Sequence, residues 1–245
     1  MAAARIEGRI SGPRVVSCGL DGAVDWRIVN RERRPWGATF ALHGPQGESL
    51  PLTVSLPGAH NVLNIAAAAV PCLELGGTWE SIAAAAAEFR GVRRRLEPLG
   101  EWRGMTLIDD YAHHPTAVRA VIAALREEFP GRPLRIIYQP HQLQRTRALR
   151  EEFASAFSGA DSVHLAPVYA ARETSQQGAA DASAELLSAI IRQGGTGTCL
   201  ASLDHVWETL ETAGRPGDVV VLMGAGSIER IADDCTVRIR RHLAG

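Results

Sequence analysis

The sequence predicts an α/β protein, a Rossmann-like and mostly parallel sheet domain preceded by a small β meander with helices. Three observations carry that expectation. From residue 105 onward, short apolar runs alternate with helical patterns of about ten to fifteen residues, the rhythm of right-handed crossovers between parallel strands. Two of those runs, 105–108 and 134–138, stop abruptly at polar clusters, DDYAHHP and QPH. Buried strands deliver side chains in this way to the carboxyl edge, where open α/β sheets hold ligands. Before residue 57 the apolar runs are instead short and separated by glycine-containing turns, as in antiparallel hairpins.

Taken in order, strands are expected at 14–18, 25–29, 38–43 and 50–56, with turns at Asp21-Gly22 and 44–47. Together they read as an antiparallel meander, ended by Pro57-Gly58. Apolar positions then recur at helical spacing over 61–75, and Thr78 has the right chemistry to cap a further helix through Ala87. The alanine run 83–87 reads as close helix packing, since alanine is the strongest helix former. Residues 89–97, FRGVRRRLE, form a basic connector. The domain boundary is placed at its end, giving domains 1–97 and 98–245. Strands follow near 105–109, 134–138, 162–166, 197–201 and 218–223. Helices follow near 115–128, 145–157, 180–193, 203–213 and 227–242.

At 245 residues and 46% hydrophobic content the chain can bury a sizeable core. Twenty-six basic residues against 27 acidic ones leave no field of one sign to recruit nucleic acid or an anionic membrane. Any anion binding must be local. Cys18, Cys72, Cys199 and Cys235 are scattered with no CxxC pair, so reduced thiols are expected rather than a zinc site or a disulfide framework. No long apolar core opens the chain and no apolar run is long enough to span a bilayer, so a cytoplasmic protein is expected. Residues 6–9 spell IEGR, a protease-site motif that also arises by chance.

Asp109, Asp110, His113 and His114 offer donors that suit a divalent ion. Adjacent side chains on an extended loop diverge, so contacts to substrate or nucleotide are the favoured reading and no metal site is assigned. A structural role also stands, with Asp110 capping the helix after Pro115. Arg93, Arg94 and Arg95 read either as a solvated linker face or as a clamp for phosphate, whose geometry guanidinium groups match. The turn MGAGS, 223–227, has Glu229 where a dinucleotide fingerprint needs its third glycine, and reads as a tight strand-to-helix turn. No GxxxxGK[ST] loop, GxSxG elbow or HExxH motif occurs.

Taken together, PGAHNVLNIAAAA (57–69), GVRRRLE (91–97), DDYAHHP (109–115), QPHQLQRTR (139–147) and VLMGAGSIERI (221–231) resemble the Mur ligases, and within them the branch that adds L-alanine to UDP-N-acetylmuramate. The resemblance covers nearly the whole chain from about residue 14. It implies the end of a central ATPase domain followed by a complete carboxyl-terminal Rossmann-like domain. The phosphate-loop lysine, the magnesium ligands and the UDP-binding domain would lie in an amino-terminal half supplied in cis or as a separate chain.

The implied chemistry is ATP-dependent, with Mg2+, and forms an amide through an acyl phosphate. His60, Asn61 and Asn64 would border adenine and ribose. Arg95 would reach the γ-phosphate and Asp110 the ribose hydroxyls or the nearby polar network. Tyr111, His113, His141, Gln142 and Arg145 would face the amino acid and the reacting carboxylate, with Arg95, His113, His141 and Arg145 as catalytic groups. Gln142 stands where the family commonly has arginine, which keeps hydrogen bonding but loses a charge. A related recycling ligase that takes a tripeptide shares the aspartate-histidine motif, and a non-catalytic Mur-like binding module is the other alternative.

Overall fold

The computed structural model describes residues 15–171 and 178–243; the expectations for residues 6–9 and Arg14 lie outside the described residues. The chain divides into two compact units, Met1–Arg90 and Gly91–Gly245.

The first unit holds β1 (Cys18–Gly19), β2 (Trp26–Arg34), β3 (Gly37–His43), β4 (Ser49–Val54), α1 (Ala59–Glu74) and α2 (Trp79–Glu88). Strands β2, β3 and β4 form the expected antiparallel meander. Alternation explains it: in β4, Leu50, Leu52 and Val54 are buried while Ser49 and Pro51 are exposed. The inward face of the meander packs Trp26, Ile28, Phe40 and Leu42 against Val62, Ala66, Ala69 and Val70 of α1. One strand departs from the expectation, because β1 runs parallel to β2. The Asp25 carboxylate accepts from both the N–H and the hydroxyl of Ser17 at 2.7 Å, which clasps the two segments side by side. Thr78 caps α2 as its chemistry suggested, its hydroxyl accepting from the Ser81 N–H at 3.3 Å.

In the second unit the order is β5 (Glu97–Trp102), β6 (Met105–Asp110), α3 (Pro115–Glu128), β7 (Leu134–Tyr138), α4 (Leu143–Ala148), α5 (Arg150–Ala156) and β8 (Ser162–Leu165). It continues through α6 (Ala179–Arg192), β9 (Gly197–Cys199), α7 (His205–Ala213), β10 (Val219–Met223) and α8 (Glu229–Leu243). The six strands line up as β5-β6-β10-β7-β8-β9. All neighbours are parallel except the β5–β6 pair at the edge. Strand β10 is the last in sequence and sits between β6 and β7, with all five residues buried. On one face Leu107, Ile137, Val220 and Leu222 pack with Val206, Trp207 and Leu210 of α7 and Ile231 and Cys235 of α8.

Two differences from the sequence expectation have physical causes. The break between units falls after Arg90, earlier than the boundary set at residue 97. Residues 94–97 belong to the second unit because the Leu96 N–H donates to Asp110 Oδ2 at 2.8 Å and Glu97 opens β5 opposite Asp109. The single helix expected over 145–157 is two, since Leu149 takes φ −106° and ψ 20° between α4 and α5.

Leu222 lies fully buried in the strand that joins both halves of the sheet. Leu222→Ala is therefore expected to destabilise the second unit by about 2–5 kcal/mol, read as a lower urea midpoint at unchanged slope.

Candidate active site

The site grows from three strand ends. Strand β6 delivers Asp109 and Asp110, and the chain then turns through Tyr111, Ala112 and His113 into α3. Strand β7 delivers Gln139 and His141, and β10 ends in the turn at Gly224. These ends come together because the Gln139 N–H donates to Met223 O at 2.9 Å and the Gly224 N–H to Asp110 O at 3.0 Å. Gln139 also receives the Ile228 N–H on Oε1 at 2.9 Å, tying β7 to the segment leading into α8.

Gly224 and Gly226 are there for closeness. A Cβ on Gly224 would lie 2.6 Å from Gln139 O, and one on Gly226 would lie 2.6 Å from Gln139 Oε1 and 2.7 Å from Tyr169 Cβ. Gly224 also has φ 143°, which side chains rarely adopt.

Along this edge runs a line of rings. Tyr111 and His113 lie 5.1 Å apart edge to face, His113 and His141 5.8 Å, and His141 and Tyr169 5.8 Å. The Tyr169 N–H donates to Pro140 O and the Gln142 N–H to Tyr169 O, both at 2.8 Å, so Tyr169 is pinned beside the histidine. His113 Nδ1 is 2.9 Å from Tyr111 O. A carbonyl only accepts, so Nδ1 carries the proton and a neutral His113 keeps Nε2 as its acceptor. Gln142 adopts φ 68° and ψ 127°, a region costly for a side-chain-bearing residue and one that collects at functional sites.

The three arginines separate. Arg93 is exposed and pairs with Asp233 at 3.1 Å. Arg94 has only 12% of its side chain exposed and donates to Asp109 Oδ2 at 3.1 Å, Glu229 Oε2 at 2.8 Å and Gly224 O at 2.7 Å. Arg95 is exposed, forms no ion pair among the described residues, and holds its Cζ 5.4 Å from the Tyr111 ring centroid. Of the run, Arg93 is thus a solvated face, and Arg95 is an exposed charge beside Tyr111.

Asp109 and Asp110 are both 2% exposed and do different work. Burial pushes the Asp109 carboxyl up to about 6, against the opposing pull of Arg94, with Asp110 and Glu97 adding to the rise. Asp110 is also raised by burial, opposed by the N–H groups it accepts, Leu96 on Oδ2 and Ala112 on Oδ1 at 2.7 Å. Those contacts correct one expectation. Asp110 does not cap α3, since His114 does so by accepting from the Thr116 N–H at 3.4 Å. Each Asp110 oxygen takes one backbone N–H. The four candidate metal donors thus have separate partners, and among the described residues no three His, Cys, Asp or Glu side chains converge on a metal position.

His60, Asn61 and Asn64 sit together in the first two turns of α1, in the first unit. Asn61 Nδ2 donates to Pro57 O at 2.8 Å, and Asn64 Nδ2 to Asn61 Oδ1 at 3.4 Å. Arg145 lies on α4, where its charge partly offsets the burial that raises the Tyr138 phenol.

Residues 94–226, more than half the chain, match the family described as "Mur ligase, glutamate ligase domain". The chain belongs to the Mur ligases. It is 38% identical over 229 residues to the UDP-N-acetylmuramate–L-alanine ligase of Rhizobium etli, covering 90% of this chain and 48% of that one. It is 44% identical over 217 residues to the enzyme of the same name from Roseiflexus, covering 87% of this chain and 43% of that one. The crystal structure of the Thermotoga maritima UDP-N-acetylmuramate–alanine ligase superposes with a TM-score of 0.75 at 24% identity, over 94% of this chain and 48% of that one. This Mur ligase chain thus spans about half the length of the curated relatives it matches, and it fits their carboxyl-terminal half. No helix among the described residues is long and apolar enough to cross a membrane.

Sequence reasoning missed Tyr169 and the inward role of Arg94. Nothing near Tyr169 marks it, because its place depends on the chain returning from β8 to pair with His141. Arg94 is indistinguishable in sequence from its neighbours.

The raised Asp109 value fixes a pH dependence. Folded protein holds this proton more tightly than unfolded chain does, so the group's contribution is complete below about pH 4 and is lost as pH rises through about 6. Asp109→Asn removes that titration. Its unfolding free energy should fall less than the wild type's between about pH 4 and 7, measured by urea melts at stepped pH.

Proposed function

We propose that this chain is the carboxyl-terminal half of an ATP-dependent, amide-forming ligase that joins L-alanine to UDP-N-acetylmuramate in cytoplasmic peptidoglycan synthesis. The observation that carries the reading is the line of Tyr111, His113 and His141 at the sheet's carboxyl edge, with the Arg95 charge held beside it. When bound, ATP supplies the phosphoryl group that turns the muramyl carboxylate into an acyl phosphate. Arg95 stabilises the charge that develops on the phosphoryl oxygens. His113, with Nδ1–H committed to the Tyr111 carbonyl, takes a proton from the attacking amine on Nε2. His141 and Arg145 orient the amino acid and the reacting carboxylate, and Tyr111 walls that space.

The amide and imidazole groups of His60, Asn61 and Asn64 suit the polar edge of adenine and the ribose hydroxyls. Magnesium fits the described residues poorly, since no carboxylate cluster offers itself. Its ligands, the phosphate loop and the UDP-sugar site are assigned to polypeptide outside these 245 residues.

Gln142 favours keeping one second reading. An amide in place of a guanidinium holds the carboxylate of free alanine less firmly, and a tripeptide donor, as in the recycling ligases, brings other groups to hold. Assaying both amino donors on a complete ligase containing this chain separates the two.

The chain alone, mixed with ATP, magnesium, UDP-N-acetylmuramate and L-alanine, is expected to release no alanine-dependent phosphate. Supplying the amino-terminal half of a relative should restore it. In that assembled ligase Arg95→Ala should lower kcat on the order of 100- to 1,000-fold with little change in KM for the sugar nucleotide. Alanine-dependent turnover by the chain alone, or an unaffected Arg95→Ala, defeats the reading.

A further inference from the structure

Arg94 uses its whole guanidinium on partners within the second unit. Nε donates to Asp109 at the end of β6, Nη1 to Glu229 in the first turn of α8, and Nη2 to the carbonyl of Gly224 in the turn after β10. Its backbone is engaged as well: the N–H donates to Glu97 Oε2 and the carbonyl accepts the Tyr111 N–H, both at 2.7 Å. Its Cζ stands 5.1 Å from the Tyr111 ring centroid, next to that of Arg95 at 5.4 Å. The chain bends sharply here, with Arg94 at φ 61° and Leu96 at φ 48°.

A left-handed residue on either side of Arg95 is costly, and buried multidentate contacts hold that bend. Asp109 completes the case. It is nearly fully buried, its Oδ2 meets Arg94, and its Oδ1 has no hydrogen bond among the described residues. Removing the guanidinium would leave that carboxylate buried without a partner, which strongly destabilises a local arrangement.

We infer that Arg94 is a positioning residue: by clamping Asp109, Glu229 and the Gly224 carbonyl, it fixes the Tyr111 ring and the bend that present Arg95 at the ligation site. The inference rests on the reading of Arg95 as the phosphate-facing charge. Arg94 itself touches no reactant. Its charge meets a buried carboxylate, whereas Arg93 pairs at the exposed surface and Arg95 forms no ion pair among the described residues.

Two measurements test this, one of them independent of activity. The chain has three tyrosines, of which Tyr138 is fully buried and Tyr169 exposed, so nitration of the 245-residue chain followed by peptide mapping reports each separately. In Arg94→Ala the Tyr111 rate should rise several-fold while Tyr138 stays protected and Tyr169 keeps its rate. An unchanged Tyr111 rate overturns the inference, and so does a rise in Tyr138, which signals general loosening.

In the assembled ligase, Arg94→Ala should lower kcat on the order of a hundredfold, the loss an ångström of misplacement brings, with the sugar-nucleotide KM kept. Arg93→Ala should match the wild type. The Arg94→Ala/Arg95→Ala double variant should be no slower than Arg95→Ala, because one residue acts through the other. Losses that multiply overturn the inference, as does normal turnover in Arg94→Ala beside a crippled Arg95→Ala. Normal turnover in Arg95→Ala removes the underlying reading as well. Should Arg94→Ala not fold, Glu229→Gln loosens one exposed partner of the clamp, and the same changes are expected at smaller size; wild-type behaviour there overturns the inference.

Discussion

The second unit depends on the insertion of β10 between β6 and β7. Without that strand β6 and β7 have no common neighbour, and the polar clusters at their carboxyl ends would not share an edge. Its five residues, Val219 to Met223, pair in register with Thr106 to Asp110 on one side and Leu134 to Tyr138 on the other. Every side chain is apolar and fully buried, which suits a strand with helices over both faces. Because β10 comes last among the strands, the sheet closes only when contacts distant in sequence form, and such contacts are slow to form. The same closure builds the site: the turn after β10 packs Gly224 and Gly226 onto Gln139 and Tyr169.

That closure brings a cost, and the arginine run offsets it. The end of β6 buries two adjacent carboxylates, an arrangement that opposes ionisation of both. The two are solved differently. Asp110 is satisfied by backbone N–H groups of Leu96 and Ala112, which shape the loop leading to Tyr111. Asp109 takes a guanidinium that also reaches α8 and the β10 turn. One side chain therefore compensates a buried charge and joins three segments at once. Arginine suits this where lysine would not, since only a planar fork offers several fixed donors; all 26 basic residues of the chain are in fact arginine.

Much of this was legible in the sequence, for reasons that show where legibility ends. Strands β6, β7 and β10 are buried on both faces and so read as unbroken apolar runs. The meander showed itself through short apolar runs between glycine-containing turns, and Thr78 through cap chemistry. Strand β5 escaped because it lies at the edge, contains Pro98 and Gly100, and buries little beyond Trp102. The break at Leu149 escaped because no proline or glycine marks it. In the site, His113 and His141 stood out because imidazoles beyond a strand are conspicuous. Tyr169 did not, since its position is set by pairing with His141 and not by anything beside it in sequence. The separation of Arg94 from Arg95 lies in backbone angles, φ 61° at Arg94 and 48° at Leu96, which composition does not record.

The proton arithmetic of the ring line gives the site a direction. In the proposed ligation the attacking amine must first lose a proton, and a group nearby must accept it. The Tyr111 carbonyl fixes the His113 tautomer with Nε2 as acceptor, and the ring of Tyr111 neighbours both that imidazole and the two guanidinium groups. An aromatic face attracts cations and an aromatic edge suits a neighbouring ring, so Tyr111 accommodates both kinds of neighbour. On the proposed reading one ring contacts both the base, His113, and the group that faces the phosphoryl charge, Arg95.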